Sequence, residues 1–133
     1  MADTVTSQTI QDGGRTAILK FTNESDGTGE SSVKKVDVSA LATDSDGNSC
    51  TAVTISRIYW ACRGMGVDIE FDASTNVLAI PLPADSTGDE YYDLFTGIPN
   101  NAGSGKTGDL DFTTVGHSSG DAYSIILVLT KHF

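Results

Sequence analysis

The sequence contains few of the residues on which small secreted scaffolds depend. Among its 133 residues it has two cysteines, Cys50 and Cys62, three prolines and a single tryptophan. Two cysteines without a secretory signal do not form a disulfide framework, so we interpret them as small apolar residues, while a bridge between them stays geometrically possible. The pair alone cannot form a structural zinc site, which needs four ligands, and neither His117 nor His132 lies at a customary spacing.

Long apolar runs are also missing. No stretch approaches the roughly 20 apolar residues that a membrane-spanning helix needs. Residues 1–9 have neither the basic start nor the apolar centre of a secretory signal. We therefore expect a soluble protein that is synthesised in a cytoplasm and has no membrane partner.

Positive charge is scarce. Eight Lys and Arg residues stand against eighteen Asp and Glu residues, which gives a formal net charge of −10. Proteins that bind nucleic acid gain much of their affinity by neutralising phosphates with basic side chains. The composition therefore predicts that nucleic acid is not a partner.

The length of the chain is that of one domain with one core, and we expect a single β domain over residues 1–133. Apolar residues recur with a period of two in several stretches, which indicates half-buried strands. The clearest such stretches are Val67, Ile69 and Phe71; Leu78, Ile80 and Leu82; Val36, Val38 and Ala40 with Lys35, Asp37 and Ser39 facing outward; and Ala17, Leu19 and Phe21. The first two, joined by a turn-like segment, predict a hairpin.

Two further stretches predict central strands. Residues 123–129 are apolar at nearly every position, as in a strand covered on both faces. In the stretch Val53 to Trp60 the pattern places Ile55 and Tyr59 on one face, and Ile58 and Trp60 on the other. Turn signals rich in Gly, Asp, Asn and Ser separate these runs. The sequence thus predicts an all-β fold, a jelly-roll-like β-sandwich of about eight or nine short antiparallel strands. The stretch Asp89 to Thr96 fits a helical turn and a strand about equally well.

Three alternating acids form the most suggestive candidate for chemistry. Asp68, Glu70 and Asp72 project to one side of a strand, about 7 Å apart, and jelly-roll glycosidases use such pairs as nucleophile and proton donor. The simpler interpretation is that a half-buried strand needs a soluble outer side. A single Trp also leaves little material for an aromatic-lined cleft.

Each of the other candidate motifs lacks a residue that its chemistry requires. Asp44 to Asn48 looks like the start of a calcium loop, but position twelve is Ile55 instead of Glu. The segment Gly103 to Thr107 lacks the earlier glycine of a phosphate-binding loop and precedes a predicted strand. His117 lies in a turn without an identifiable nucleophile. The sequence therefore predicts no catalytic, cofactor-binding or metal-binding residue and no enzymatic activity.

Several aromatic residues admit two interpretations. Tyr59, Trp60, Tyr91 and Tyr92 could form a sugar-binding platform, and burial in a core explains them at least as readily.

The overall pattern resembles a group of small structural proteins of tailed bacteriophages, including phages of cyanobacteria and other aquatic bacteria. The segments that carry this resemblance are distributed along the chain: Thr6 to Gly13, Lys20 to Asn23, Ser25 to Glu30, Asn100 to Gly105 and Thr113 to His117. The resemblance implies a virion protein, and specifically a capsid cement or decoration protein on the outer surface of the head. It implies the major capsid protein as partner, attachment as a dimer or trimer, and a bridging role that stabilises neighbouring capsid subunits.

The N-terminal segment is the candidate contact with the capsid. It is rich in strand-forming residues but has too few apolar side chains for a core element, so we expect residues 1–11 to form an arm or an edge strand. Deletion of residues 2–11 is then expected to abolish capsid binding and preserve the β fold. The candidate contact residues are Thr4, Val5, Thr6, Ser7, Gln8, Thr9, Ile10 and Gln11.

Two alternatives remain at this point. The first is a head-fibre or tail component that recognises a glycan on the host surface, which exposed Tyr91 and Tyr92 would favour. The second is a small jelly-roll glycosidase that uses Asp68 and Glu70.

Overall fold

The computed structural model describes residues 3–92 and 97–133. Within these residues the chain forms nine β-strands and one short 3-10 helix, Val38–Ala40. The strands are β1 (Thr4–Asp12), β2 (Thr16–Glu24), β3 (Val33–Val36), β4 (Ala52–Arg63), β5 (Gly66–Phe71), β6 (Val77–Leu82), β7 (Thr87–Tyr91), β8 (Leu110–Val115) and β9 (Ala122–His132). Residues 89–91 belong to β7, and the rest of the ambiguous stretch, apart from Tyr92, lies outside the described residues.

The strands form two antiparallel sheets. The five-stranded sheet has the order β1-β2-β9-β4-β7 and the four-stranded sheet the order β3-β8-β5-β6. Apart from the β5–β6 hairpin and the β1–β2 pair, consecutive strands lie in different sheets. With β1 set aside, the two sheets of four strands have the jelly-roll arrangement, so the predicted all-β sandwich is confirmed.

The core lies between the sheets and is built from the alternating strands that the sequence pattern predicts. In β5, Val67, Ile69 and Phe71 are buried, and Ala17, Leu19 and Phe21 of β2 are buried in the other sheet. Phe112 of β8 packs edge-to-face on Phe21, with ring centroids 5.4 Å apart. Burial of this apolar surface is the main stabilising contribution to the fold.

β-bulges in β6, β4 and β3 shift the alternation away from the simple pattern. In β6 the register with β5 shifts at Ala79, so Ile80 and Leu82 face the core while Leu78 is 49% exposed. In β4 the register with β9 shifts at Ser56, so both Ile55 and Ile58 are buried. The predictions that Leu78 faces the core and that Ile55 and Ile58 face opposite ways were therefore wrong, because a bulge inserts one residue and inverts the facing of those beyond it.

The bulge in β3 changes the surroundings of Lys35. The strand ends at Val36 instead of continuing to Ala40, because the 3-10 helix begins at Val38 with Asp37 as its N-cap. The register with β8 shifts at Lys35, whose side chain is 9% exposed and pairs with Glu30. The prediction that Lys35 points outward was wrong.

The last strand, β9, lies at the centre of the five-stranded sheet as predicted. Its residues alternate between fully buried, as at Ile125 and Leu127, and half-buried, as at Ile126 and Val128. Coverage on both faces was therefore a wrong prediction, and the second side of β9 contributes to an outward surface.

Both cysteines are buried and free, so the bridge left open by the sequence is not formed. Burial, followed by the negative charge of Asp85, raises the pKa of the Cys62 thiol above its ordinary value. Nothing helical in the described part of the chain has the length and apolar character needed to cross a bilayer.

Candidate functional site

The candidate capsid-contact residues all lie on β1, at one edge of the five-stranded sheet. This strand pairs with β2 alone, and every side chain from Thr4 to Gln11 is exposed. Residues 4–11 thus form part of an edge strand of the sandwich, while Met1 and Ala2 lie outside the described residues.

Among the four edge strands of the described sheets, β1 has the least protection against pairing with another chain. β7 has five residues and carries Asp89 and Glu90. β3 has four residues with Lys34 and Lys35, and β6 contains Pro81 and a bulge. Charges, proline and short length are the usual means of blocking edge-to-edge association. Residues 4–11 carry neither charge nor proline, and a single bulge at Ile10 interrupts their pairing.

The N-terminal end of β1 is fixed by Asp3. Its Oδ2 accepts a hydrogen bond from the Asn23 side chain at 3.1 Å, and its Oδ1 accepts the backbone N–H groups of Asp26 at 3.2 Å and Gly29 at 3.1 Å. Burial opposes ionisation of Asp3, but these hydrogen bonds outweigh it and hold the pKa of Asp3 below its ordinary value. The carboxylate therefore binds β1 to the loop after β2.

The C-terminal end of β1 is fixed by a buried cation. The ammonium group of Lys131, whose side chain is wholly buried, contacts Asp12 Oδ1 at 2.7 Å and the carbonyl oxygen of Ala42 at 2.8 Å. Asp12 Oδ2 accepts the backbone N–H of Ala42 at 2.8 Å. The two acids that flank the uncharged segment are therefore paired inside the molecule, so the edge is fixed at both ends and carries no charge between them.

The core-facing side of β1 extends beyond the four-stranded sheet. Val5, Ser7 and Thr9 share a side with the buried Phe21 and Leu19 of β2, yet Val5 is 48% exposed. A recess of about 170 Å³ separates β1 from β3 and the 3-10 helix. One side of β1 is thus accessible as well as its free edge.

A second surface, which we call the outer face, lies on the side of the five-stranded sheet that points away from the core. Its side chains are half-buried or exposed. The register of the strands arranges them in three rows across β1, β2, β9, β4 and β7: Gln11, Ile18, Val128, Arg57, Tyr91; then Gln8, Lys20, Ile126, Tyr59, Asp89; then Thr6, Thr22, Ser124, Ala61, Thr87.

One end of the outer face carries an ordered cluster of aromatic and charged groups. Arg57 donates to Asp89 from Nε at 3.0 Å and from Nη2 at 2.8 Å. Its guanidinium carbon lies 4.7 Å from the ring centroid of Tyr59 and 5.2 Å from that of Tyr91. The hydrogen bonds and charge of Arg57 lower the pKa of Asp89. Of the four aromatic residues singled out in the sequence, Tyr59 and Tyr91 lie here; Trp60 packs against the core.

The alternating acids of β5 lie outside the core. Asp68 and Glu70 lie half-buried on the outward side of the four-stranded sheet. Glu70 Oε1 accepts the Thr113 hydroxyl at 2.9 Å. The recess beside Asp68, about 290 Å³, is not lined by Glu70. Burial, followed by the negative charge of Glu70, raises the pKa of Asp68 above its ordinary value.

A pair of carboxyl groups that the sequence did not reveal lies nearby. Asp111 is 3% exposed and its Oδ2 accepts the Asn76 amide at 3.1 Å, while its Oδ1 has no partner among the described residues. Burial, followed by the neighbouring carboxyl group of Asp72, raises the pKa of Asp111 to about 6. Within residues 3–92 and 97–133, no three acidic, His or Cys side chains converge as a metal site requires.

A buried polar network joins the two sheets at one end of the sandwich. The Tyr123 hydroxyl of β9 donates to Glu30 Oε1 at 2.6 Å, and Lys35 of β3 lies 2.5 Å from Glu30 Oε2. Burial and the Glu30 carboxylate strongly raise the pKa of Tyr123. Tyr123 and Glu30 are separated by 93 residues in sequence, so the local sequence pattern could not identify them as partners.

The remaining sequence motifs have structural roles. The Asp44 carboxylate accepts the backbone N–H groups of Asp46 at 3.0 Å and Asn48 at 2.8 Å, as in an ordinary acidic turn. His117 Nδ1 lies 3.1 Å from the Thr114 hydroxyl. The segment Gly103 to Thr107 leads into strand β8 and not into a helix.

Comparison with known proteins gives a sparse result. No family model matches the chain, and no curated protein matches it. Among solved structures, a family 29 carbohydrate-binding module is 9% identical with a TM-score of 0.42, over 96% of this chain and 89% of that one. A variant of such a module complexed with cellulohexaose is 10% identical with a TM-score of 0.42, over 96% and 91%. Another complexed with mannohexaose is 11% identical with a TM-score of 0.41, over 98% and 93%.

Proposed function

We propose that this chain is a non-enzymatic virion structural protein, a capsid cement protein that attaches to the outside of a phage head through β1. The observation that carries the proposal is the contrast between β1 and the other three edges of the described sheets. Three edges are short, charged or interrupted by proline, whereas residues 4–11 form an uncharged strand with a free edge. The choice of the major capsid protein as partner is based on the sequence resemblance to phage structural proteins.

The proposed mechanism is addition of a strand to the sheet. An extended segment of the major capsid protein pairs with the free edge of β1, so that backbone hydrogen bonds supply affinity and side-chain contacts supply register. Because Asp3 and Lys131 fix both ends of β1, little conformational entropy is lost on docking. Many copies on one lattice, or two or three joined in an oligomer, convert modest contacts into lasting attachment.

The charge distribution supports the same assignment. A chain with a net charge of −10 repels its own copies at most surfaces, which keeps it dispersed until it meets the shell. Residues 4–11 carry no charge, so docking through them buries no unpaired ion.

The test uses shells assembled from the major capsid protein encoded in the same phage genome. Purified protein is mixed with these shells, and bound protein is measured after sedimentation. We expect Thr9→Lys on β1 to abolish binding, because a lysine on an edge strand obstructs strand pairing. Thr87→Lys is the matched control, since Thr87 is an exposed threonine on the opposite edge of the same sheet, and it should bind like the wild type.

Equal binding by wild type and Thr9→Lys contradicts the role of β1. Absence of binding by the wild type contradicts the function as a whole. The mass of the protein in solution, measured for the wild type and Thr9→Lys, identifies the competing occupant of the edge: a dimer that becomes a monomer in the variant shows that β1 pairs with a second copy of the chain.

A further inference from the structure

The outer face of the five-stranded sheet is a second surface, distinct from the β1 edge. Its aromatic and charged cluster lies on β4 and β7, at the far side of the sheet from β1. Three inter-strand spacings separate β1 from β4 and four separate it from β7, about 14 and about 19 Å at the usual distance between neighbouring strands. A molecule could therefore contact the cluster without competing for the free edge.

The cluster is ordered before any ligand arrives. Arg57 is held by two hydrogen bonds to Asp89 and lies close to the Tyr59 and Tyr91 rings. Tyr91 is nevertheless 59% exposed. The side chains of Arg57 and Asp89 are also partly exposed, at 36% and 42%. A fixed guanidinium fork and a fixed carboxylate offer donors and acceptors at set positions beside aromatic rings, at low cost in side-chain entropy.

These groups match the chemistry of a sugar chain. The ring faces of a pyranose present C–H groups that pack on the electron-rich face of an aromatic ring, and its hydroxyl groups both donate to a carboxylate and accept from a guanidinium. Polar side chains continue across the surface, with Lys20, Gln8 and Gln11 in the same rows. An extended oligosaccharide lying along these two rows meets polar groups on β1, β2, β4 and β7, and the apolar side chains of Val128 and Ile126 on β9.

The composition of the face favours a glycan over a protein partner. Apolar residues such as Ile126 and Val128 are half-buried and interrupted by charged or amide side chains, whereas the centre of a protein interface is depleted of charge. The balance of charge is also unusual for this chain. The three rows contain Lys20, Arg57 and a single acid, Asp89, in a protein of net charge −10, so the face has little net charge and does not select for an ionic ligand.

We propose that the outer face binds a neutral polysaccharide chain, with Tyr59 and Tyr91 stacking on sugar rings and the Arg57–Asp89 pair bonding to hydroxyl groups. This site is independent of the shell contact proposed above. It gives the chain a second adhesive surface, directed away from the core and available while β1 is occupied.

Affinity gel electrophoresis of the full chain tests the site, with hydroxyethylcellulose, galactomannan or polygalacturonate cast in the gel. We expect at least one neutral polysaccharide to retard the wild type. We expect Tyr91→Ala to lose this retardation, because its affinity for the polysaccharide should be at least about tenfold lower than that of the wild type. Phe133→Ala is the matched control, because Phe133 is also an exposed aromatic residue but lies outside the outer face, and it should be retarded like the wild type. Thermal melting of each variant checks that the fold is retained, and Tyr59→Ala provides a second variant.

No retardation by any neutral polysaccharide overturns the proposal, as does equal retardation of the wild type and Tyr91→Ala. Retardation by polygalacturonate alone, unaffected by Tyr91→Ala, assigns the effect to charge and also overturns it. Loss of shell binding in Tyr91→Ala assigns the face to a protein partner instead. Thr9→Lys should be retarded like the wild type, which separates failure of this site from failure of the β1 contact.

Discussion

The wholly buried ammonium group of Lys131 lies 2.7 Å from the Asp12 carboxylate, whose side chain is 20% exposed. This ion pair joins the last strand of the chain to the end of the first. The carbonyl groups of Gly13 at 2.5 Å and Ala42 at 2.8 Å accept the remaining hydrogen bonds of the ammonium group. The contact turns an N-terminal segment with few apolar side chains into a fixed edge of the sheet.

Removal of the Lys131 charge is expected to destabilise the fold. In Lys131→Met the Asp12 carboxylate and two carbonyl groups lose their partner, and breaking a buried ion pair from one side costs about 3 kcal/mol or more. Urea unfolding measures the loss in free energy of unfolding. Lys106→Met is the control, since Lys106 is exposed, and an equal effect of the two changes would contradict the role of Lys131.

The buried hydroxyl of Tyr123 should stabilise the junction of the two sheets. Tyr123→Phe keeps the ring that packs on Phe112 but removes the 2.6 Å hydrogen bond to Glu30. A lost hydrogen bond to a buried charged group predicts a decrease of about 2 kcal/mol in the free energy of unfolding. Tyr91→Phe, the same change at an exposed tyrosine, should alter it by less than about 0.5 kcal/mol; matching losses would show that the Glu30 contact contributes nothing.

The Asp72–Asp111 pair predicts a specific dependence of stability on pH. The pKa of Asp111 is raised from 3.8 to about 6 on folding, so the folded chain binds more protons than the unfolded chain between these values. The contribution of Asp111 is therefore fully present below the unfolded pKa and is lost as the pH rises through the folded one.

Replacement of Asp111 by asparagine should remove this dependence, because the amide cannot ionise and its N–H can donate to Asp72. Thermal melting at about pH 4 and about pH 8 is expected to show Asp111→Asn gaining stability relative to the wild type as the pH rises. Asp46→Asn, at an exposed position of a loop, should show no comparable gain. A constant difference between Asp111→Asn and the wild type at both pH values would contradict the raised pKa of Asp111.

Gly88 on β7 leaves room for the single tryptophan. A Cβ atom at this position would lie 2.4 Å from the Trp60 ring, whose Nε1 donates to the Ser86 hydroxyl at 3.0 Å. Gly88→Ala is therefore expected to displace the ring, shift its fluorescence and reduce the free energy of unfolding by about 1–3 kcal/mol. Gly14→Ala adds the same methyl group where nothing lies within 4 Å; an unchanged emission spectrum in Gly88→Ala would show that the ring is not confined.

The sequence predicts the strands well because burial of one side imposes a period of two on the residues of a strand. Val67, Ile69 and Phe71 alternate in sequence and are buried in the structure. The pattern cannot predict β-bulges, because the extra residue at Ser56 or Ala79 is defined only by the register with a partner strand. For the same reason the pattern misplaced Leu78.

The surfaces were predicted only in part. The composition of residues 4–11 was sufficient to predict a segment outside the core. Its role as the least protected edge follows from the order of strands, which depends on long-range pairing. Tyr59 and Tyr91 were visible as aromatic residues, but the cross-strand register that places Arg57 opposite Tyr91 was not.

Imaging of shells decorated with the wild-type protein tests whether this chain docks on a capsid through β1. We expect density for this chain on the outer surface of the shell, with β1 next to an extended segment of the major capsid protein and the strand continuing its sheet. Shells that stay bare at saturating protein, or that bind the chain with β1 exposed to solvent, would contradict it.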